Sequence, residues 1–495
     1  MSDFKVRLNF IMPSVATSRK TSFVIMPSIA SPRSVRRVAL LPGVVVAIPF
    51  GLIVAILFGV IVAIPPASLA AQTATAPGKA PALVPARPMA DYWVYVGAES
   101  ADKMHRIRFG PAGTVVEKTI EVGELQAEME GPHGLAISRD GKYLHMTTGH
   151  GTPDGKYWRY VLGPDTLAGP GIFLGNFPAS IDVTPDGLYS FSANFNLHGD
   201  MIPSTVSVVY TPTQTEVARI VTCTMPHGSR VSPDGMHQYS TCMMDDQLVE
   251  IDTRDFRVSR RFALAKGKEG PLASNATKSM ADMPGMTGMD HAMHDMGGMK
   301  DSAKNALASS KDSAKNAVAS SSRLPVTPVV DPAQMGRAAM GIEKHAMAPA
   351  SCSPTWAQPS VDGTRVFVAC NKADEILEIN SKDWTLARRL RTGRGVYNLA
   401  VTPNGKLLVA TLKQGSGIEV FDIATGASLV QLPTSTRIAH GVTVSSDSRF
   451  AFVSSEGVGA QPGKVDVVDL QALVKVGTVD VAQQASGIAF WKMSK

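Results

Sequence analysis

The sequence predicts an all-β protein, a seven-bladed β-propeller, and the spacing of its hairpin turns is the main reason. A strand-turn-strand pattern recurs six times after residue 90, with Asp-Gly or Asn-Gly at most turns and alternating apolar residues on both sides. The turn residues are spaced by 46, 48, 128, 42 and 43 positions; they are Asp140, Asp186, Asp234, Asp362, Asn404 and Asp447. Apart from one long step, this spacing fits a four-stranded blade of about 40–45 residues.

The two chain ends supply the seventh blade. SGIAFWK near the C-terminus reads as an inner strand with no hairpin after it, and residues 92–109 read as the second and third strands of the same blade. Pairing of the N- and C-terminal strands would close the ring and remove exposed sheet edges. We therefore expect a closed propeller.

The repeated phrases VTPDG and VSPDG resemble those of the YVTN family of seven-bladed propellers. The resemblance covers the chain beyond residue 90 apart from one insertion, and it implies the fold without implying an activity. Nitrous oxide reductase and the haem d1 nitrite reductases have similar propellers. This chain has neither a cupredoxin domain nor a C-x-x-C-H haem motif.

The N-terminal region, residues 1–71, is predicted to direct export. Arg33, Arg36 and Arg37 precede an apolar run over residues 38–64, and ASLAAQ then resembles a signal-peptidase site. The run is long enough to cross a bilayer, so an uncleaved membrane anchor is the alternative to a signal peptide. Both predict a periplasmic or other extracytoplasmic location.

The remaining chain divides by composition. Residues 72–90 form a Pro/Ala linker, residues 91–265 and 351–495 carry the blades, and residues 266–350 are an insertion. The insertion contains the tandem repeat KDSAKNALASS-KDSAKNAVASS, which predicts a short helix or a flexible spacer.

The insertion also carries a methionine- and histidine-rich tract, residues 280–299. Thioether and imidazole groups suit copper, and the tract has too few apolar residues for a buried helix. It resembles the Met/His repeats of periplasmic copper-resistance proteins. The candidate ligands are Met280, Met283, Met286, Met289, His291, Met293, His294, Met296 and Met299.

Four cysteines form two pairs of similar spacing, Cys223 with Cys242 and Cys352 with Cys370. Each pair brackets one hairpin, which favours two disulfides. Thiolate ligation of copper by the first pair is the alternative.

Histidines recur at the start of predicted inner strands, in GPHG, MPHG and IAHG. His133, His227 and His440 should therefore surround the mouth of the central channel, where three imidazoles could share a metal ion. His150 and His198 lie in loops on the same face. The alternative is that these histidines only bond to neighbouring backbone.

Composition bounds the partners. The formal net charge of +6 is modest, and no Lys/Arg cluster is interleaved with aromatics, so nucleic acid is not expected as a partner. The sequence predicts an exported propeller that binds copper for storage, delivery or resistance, with a metal ion and another envelope protein as partners. A membrane contact is expected only if the anchor stays uncleaved. The alternatives are an envelope interaction scaffold and a copper-dependent oxidoreductase; no catalytic residues are predicted.

Overall fold

The computed structural model describes residues 85, 87–124, 128–150, 155–197, 199–273 and 350–494. The predicted export segment, most of the linker, His198, the Met/His tract and the tandem repeat lie outside these ranges. Within them, no helix has the length and apolar character needed to span a membrane.

The described ranges contain thirty strands and one 3₁₀ turn, η1 (Glu99–Ala101). The first half of the strands are β1 (Tyr92–Ala98), β2 (Lys103–Gly110), β3 (Gly113–Glu121), β4 (Pro132–Ile137), β5 (Tyr143–Thr148), β6 (Lys156–Val161), β7 (Thr166–Leu167), β8 (Ile172–Phe173), β9 (Pro178–Val183), β10 (Tyr189–Asn194), β11 (Pro203–Tyr210), β12 (Thr215–Thr224), β13 (Pro226–Val231), β14 (His237–Cys242) and β15 (Gln247–Asp252). The second half are β16 (Arg257–Ala263), β17 (Gly270–Leu272), β18 (Pro354–Pro359), β19 (Arg365–Cys370), β20 (Glu375–Asn380), β21 (Thr385–Arg391), β22 (Val396–Val401), β23 (Leu407–Leu412), β24 (Gly417–Asp422), β25 (Ser428–Pro433), β26 (Ile438–Val444), β27 (Phe450–Glu456), β28 (Gly463–Asp469), β29 (Val474–Val481) and β30 (Ala485–Met493).

These strands form seven antiparallel sheets, which confirms the predicted propeller. The inner strands of blades 1 to 7 are β4, β9, β13, β18, β22, β26 and β30. Each inner strand contacts the inner strands of the two neighbouring blades, so the seven surround one axis. In blade 1 the outermost strand is split, because β7 and β8 pair with different ends of β6.

Blade 7 closes the ring as predicted, with the order β3-β2-β1-β30. The N-terminal strand β1 pairs antiparallel with β30, from Tyr92 opposite Met493 to Ala98 opposite Ala485. The chain ends therefore share one sheet, and the ring has no open edge between its first and last blades.

The hairpin turns follow from their sequence. In the first, Gly141 has a φ of 68°, a conformation that glycine adopts without steric cost. The Asp140 carboxylate accepts bonds from the Ser138 hydroxyl and the Lys142 backbone N–H. The last hairpin has Ser448 in place of glycine, at a φ of 64°.

The apolar core lies between neighbouring blades. One buried cluster joins blades 6 and 7 through Phe450, Phe452, Tyr92 and Phe109, whose rings meet at edge-to-face angles. Similar clusters join the other blades, so each inner strand is held at a fixed height around the axis.

The insertion leaves the propeller later than composition predicts. Strand β17 adds a fifth strand to blade 3 by pairing with β16, so the sheet extends to Leu272 rather than ending at residue 265. The chain re-enters near Ser351, whose backbone N–H donates to the Asp246 carboxylate at 2.6 Å.

Candidate functional site

The inner strands carry equivalent residues where they begin, around one end of the central channel. We call this end the upper mouth and these residues the histidine ring; they are His133, Ala179, His227, Thr355, Tyr397, His440 and Ser486. His133, His227 and His440 are 8, 4 and 5% exposed, so all three are buried. The structure thus places these three histidines around the channel mouth, where the sequence predicts them.

Four of the seven ring residues have aromatic or imidazole side chains, and these enclose the axis. The ring centroids of His133 and His440 are 5.4 Å apart, and those of His440 and Tyr397 are 5.0 Å apart. Tyr397 lies 5.4 Å from His227, which lies 6.3 Å from His133. The other three positions have small side chains, which leaves the room that these four rings fill.

Two histidines are anchored through the same ring nitrogen. Nδ1 of His133 lies 2.5 Å from the Ala179 carbonyl oxygen, and Nδ1 of His227 lies 2.8 Å from that of Thr355. Because a carbonyl oxygen can only accept, each Nδ1 carries the proton and each Nε2 keeps its lone pair. The Tyr397 hydroxyl donates to Nε2 of His227 at 3.0 Å, whereas Nε2 of His133 lies 4.0 Å from a Glu99 oxygen.

His440 uses a carboxylate instead of a carbonyl. Its Nδ1 lies 2.8 Å from Oε1 of Glu456, at angles outside those of a regular hydrogen bond. At this distance an unprotonated Nδ1 would be repelled by the ionised carboxylate, so the contact again favours the proton on Nδ1. All three imidazoles therefore direct Nδ1 to a protein acceptor, the arrangement that fixes the tautomer of metal-binding histidines.

A second set of equivalent residues lies directly above the ring, at or just after the ends of the second strands. We call it the rim: Glu99, Gly149, Phe195, Met243, Asn371, Lys413 and Glu456. In six blades the rim N–H donates to the carbonyl of the residue two positions before the ring residue, as Lys413 does to Gly395 at 2.8 Å. The rim thus has the same backbone geometry in each of these blades.

The charged rim residues come from the neighbouring blades 5, 6 and 7. Glu99 accepts a bond from Nε2 of His150 at 2.5 Å and one from Gln484 at 3.0 Å. Nζ of Lys413 lies 3.5 Å from Glu456 and 4.3 Å from the centre of the Tyr397 ring. Two carboxylates face one ammonium group, so this side of the mouth is net negative when the imidazoles are neutral.

Burial and neighbouring charges set the pKa values of these groups. Burial lowers the pKa of His227 to about 3 and that of His440 to about 4, with nearby cationic groups acting in the same direction. Burial raises the pKa of Glu456, but bonding to His440 and the charge of Lys413 outweigh it and hold the pKa at about 2. For Glu99, burial is outweighed by His133 and His150, so its pKa lies below the usual value.

The opposite side of the mouth is apolar and rich in sulfur. Phe177 and Phe195 pack with Met225 and Met243, and the Phe195 ring lies 5.1 Å from His227. Phe177 and Met225 have φ angles of 49° and 55°, which are uncommon for bulky residues. The equivalent residues Gly131 and Gly395 also have positive φ angles, so this conformation belongs to the blade repeat.

The predicted site residues divide into three groups. His133, His227, His440 and His150 meet at the upper mouth. All four cysteines are bonded, Cys223 to Cys242 and Cys352 to Cys370, so none is a free thiolate. His198 and the Met/His tract lie outside the described residues, within which no group of three or more His, Cys, Asp or Glu is arranged to hold a metal ion.

Sequence reasoning missed the charged rim, including Glu99, Lys413 and Glu456. A signal for six rim residues was present, because each lies nine positions after its turn residue, as Lys413 does after Asn404. The ring residues of the same blades lie seven positions before their turns. Aligning the repeats on their turns would have found both sets.

Comparison with known proteins supports the propeller fold. No family model and no curated protein matches the chain. A periplasmic gluconolactonase of Pseudomonas aeruginosa is similar in structure, with 14% identity, a TM-score of 0.51, and coverage of 81% of this chain and 99% of that one. A protein of unknown function from Desulfotomaculum acetoxidans and a protein from Lactobacillus plantarum each have 12% identity with the same coverages, at TM-scores of 0.52 and 0.51. At these identities the similarity shows a shared propeller fold.

Proposed function

We propose that this protein is an exported β-propeller that binds copper as its cargo at the upper mouth, for storage, delivery or resistance. The observation that carries the proposal is the histidine ring: three imidazoles from separate blades, each with Nδ1 facing a protein oxygen, meet beside a net negative rim. Cu(I) is a soft cation that imidazole and thioether ligands suit. Residues 280–299 would collect the ion, and the ring would hold it.

The distances between the imidazole centroids are close to those expected for imidazoles that bind one ion. Two imidazoles bound to one ion at about 2.0–2.1 Å would have ring centroids roughly 5 Å apart. The centroids of His133 and His440 are 5.4 Å apart, which is near this spacing, whereas His227 is 6.3 Å from His133. His227 would also have to release the Tyr397 hydroxyl, so we assign the first two ligands to His133 and His440, with His227 joining as the third.

The electrostatics of the mouth favour a cation. Metal binding requires unprotonated imidazole, and burial keeps His227 and His440 neutral at physiological pH. Glu99 and Glu456 remain ionised beside them. A cavity of about 30 Å³ on the axis has room for one ion or about two water molecules, and its lining includes Arg230 as well as His133, His227 and His440.

The attachment of the insertion supports a supply role for the tract. Where the chain re-enters the propeller, the backbone N–H groups of Ser351, Cys352 and Ser353 all donate to Asp246. Asp246 follows the rim residue Met243 by three positions, so the insertion is tied to the propeller beside the sulfur-rich side of the mouth.

The compartment is proposed on two grounds. Two disulfides are typical of proteins in oxidising compartments outside the cytoplasm. The N-terminal sequence, which lies outside the described residues, adds the export signal, and we propose the periplasm. We also place the chain in the YVTN class on its turn phrases; the gluconolactonase similarity adds no activity to this proposal.

A Cu(I) competition titration under anaerobic conditions tests the proposal. We would compare the exported chain with a variant lacking residues 280–299, the double variant H133Q/H440Q, and H237Q as a control on the opposite face. Removing the tract should lower the stoichiometry while retaining the tightest site, and H133Q/H440Q should lose that site. Retention of the tightest site in H133Q/H440Q, or its loss in H237Q alone, would contradict the proposal.

A further inference from the structure

The opposite end of the channel has its own set of equivalent residues, three positions after those of the histidine ring. We call it the lower ring: Ala136, Asp182, Arg230, Gln358, Ala400, Thr443 and Ala489. Each pairs across its sheet with the equivalent residue of the second strand, as Arg230 does with Tyr239 and Ala400 with Val409. Arginine occurs in one blade only, and three blades have alanine.

The Arg230 guanidinium is held in place but makes few polar contacts. It lies 4.7 Å from the centre of the Trp356 ring, a cation–π contact that restricts its position. Its nearest charged neighbour is Oδ1 of Asp182, at 3.8 Å, which is beyond hydrogen-bonding distance. Among the described residues none hydrogen-bonds to this guanidinium, although several N–H donors belong to it.

Asp182 is engaged elsewhere. Its Oδ1 accepts the backbone N–H of Val183 at 3.0 Å, and its Oδ2 accepts that of Val231 at 2.8 Å. The carboxylate is therefore committed to holding neighbouring inner strands together. It reduces the local positive charge without satisfying the guanidinium donors.

The space beside Arg230 is shaped as a pocket. A cavity of about 260 Å³ is lined by Arg230, Asp182, Gln358, Ala400 and Thr443, together with neighbouring valines and a proline. Arg230 also lines the cavity of about 30 Å³ at the histidine ring, so this residue lies between the two cavities. The pocket is large enough for a ligand of a few non-hydrogen atoms and smaller than most drug-sized sites.

From these features we infer that the lower mouth is a second binding site, which takes a small organic carboxylate on Arg230. The planar guanidinium matches a carboxylate in a two-bond geometry, and Trp356 holds it ready for that contact. The nearby Asp182 disfavours a phosphate, which carries both of its charges on one group, more than a carboxylate group whose molecule bears any second charge several bonds away. The accessible lining is mainly polar, and Ala400 and the valines add a smaller apolar part beside the carbon chain of such a ligand.

Calorimetric titration with succinate as the probe tests this site, with succinamide as the uncharged counterpart. The purified exported chain should bind succinate saturably and succinamide at least about tenfold more weakly, because the charge-assisted bonds are lost. R230M should abolish succinate binding. R254M is the matched control, since Arg254 is an exposed arginine already paired with Asp252 at 2.7 Å.

A second variant keeps the test decisive if R230M folds poorly. A400L fills the pocket while leaving Arg230 and Trp356 unchanged, and it should also weaken succinate binding by at least about tenfold. Absence of saturable binding to the unmodified protein, or equal binding in R230M or A400L when folded, would overturn the inference. Copper is absent from all of these titrations, so the result is independent of the function proposed for the upper mouth.

Discussion

A histidine near the axis of this propeller has one nitrogen with a structural role and one that remains for chemistry. Nδ1 of His133 and His227 joins neighbouring blades by bonding to a carbonyl, which is the purely structural reading of these residues. That reading leaves Nε2 unexplained, and in His227 the Tyr397 hydroxyl satisfies it. A purely structural role for His227 and a role in copper binding therefore predict different effects of changing Tyr397.

Substitution of Tyr397 by phenylalanine should separate them. Y397F leaves Nε2 of His227 buried without a donor, so the free energy of unfolding should fall by about 1–2 kcal/mol. With its lone pair released, His227 should bind Cu(I) more readily, raising the affinity about three- to tenfold. Urea unfolding and Cu(I) competition measure the two effects, and a lower copper affinity in a folded Y397F protein would contradict the assignment of His227 as the third ligand.

The buried imidazoles should also make stability depend on pH. The folded-state pKa of His227 is about 3, below the unfolded value of about 6.5, so the unfolded chain binds more protons between these limits. Stability is fully present above about pH 6.5 and is lost as the pH falls. At pH 4.5 the loss should be roughly 2–3 kcal/mol for His227, with a similar loss for His440.

Urea unfolding at pH 7.5 and pH 4.5 checks this dependence. Burial also lowers the pKa of His145 to about 3, which adds a third loss of similar size, so H227Q should show about two-thirds of the loss seen in the unmodified protein. The neighbours that bear on His227 are His133, His440 and Lys413. Glu456, with a folded pKa of about 2, contributes mainly below this window. An unchanged pH dependence in H227Q would show that His227 is protonated in both states or in neither.

At the scale of the element, the blade is the unit that the sequence predicts well. The Asp-Gly turn, the alternation of apolar residues and the fixed distance to the inner strand are local features, so the hairpins and the ring histidines could be placed from sequence. The same turn spacing marks the positions of Lys413 and Glu456 but not that of Glu99, and it does not show that these three charges lie together. Their importance comes from the adjacency of blades 5, 6 and 7, which only the closed ring provides.

The fifth strand of blade 3 was not predicted either. Strand β17 has three residues, Gly270–Leu272, and no alternating pattern of its own. It forms because the chain leaving β16 turns back along an exposed outer edge, where the backbone of β16 offers unpaired groups. Such pairing depends on an available edge rather than on a local sequence signal.

The disulfides act at this same scale. Cys223 of β12 joins the outermost strand of blade 2 to Cys242 of β14 in blade 3, whereas Cys352 is bonded to Cys370 at the end of β19 in blade 4. Cys223 and Cys242 are separated by 19 residues, and Cys352 and Cys370 by 18. Loops of this size predict a loss of about 2–4 kcal/mol when either bond is removed. Unfolding of C223A/C242A and C352A/C370A measures it; a stability equal to that of the unmodified protein in both variants would be inconsistent with a structural role for these bonds.

For the whole molecule, ring closure is the feature on which the site depends. The rim carboxylate Glu99 follows β1, and Ser486 of the histidine ring lies in β30, so both ends of the chain build the mouth. A propeller opened between β1 and β30 would expose one edge of each of these two strands. The site is therefore formed only when the ring is complete.

Truncation tests this dependence. Deleting residues 485–495 removes β30, and the product should lose its cooperative thermal transition. Deleting residues 280–299 is the matched control, which should change the melting temperature by no more than about 2 °C, because none of the described strands contains these residues. A cooperative transition at the original temperature in the 485–495 deletion would show that closure is not needed.

X-ray absorption spectroscopy at the copper edge tests directly whether the histidine ring binds copper. The sample is the protein without residues 280–299, loaded with one equivalent of Cu(I), so that the tract sulfurs cannot contribute. We expect a nitrogen shell with the outer-shell scattering of at least two imidazoles, and we expect H133Q/H440Q to lose it. A first shell made of sulfur alone, or a protein that retains no copper, would contradict copper binding by the histidine ring.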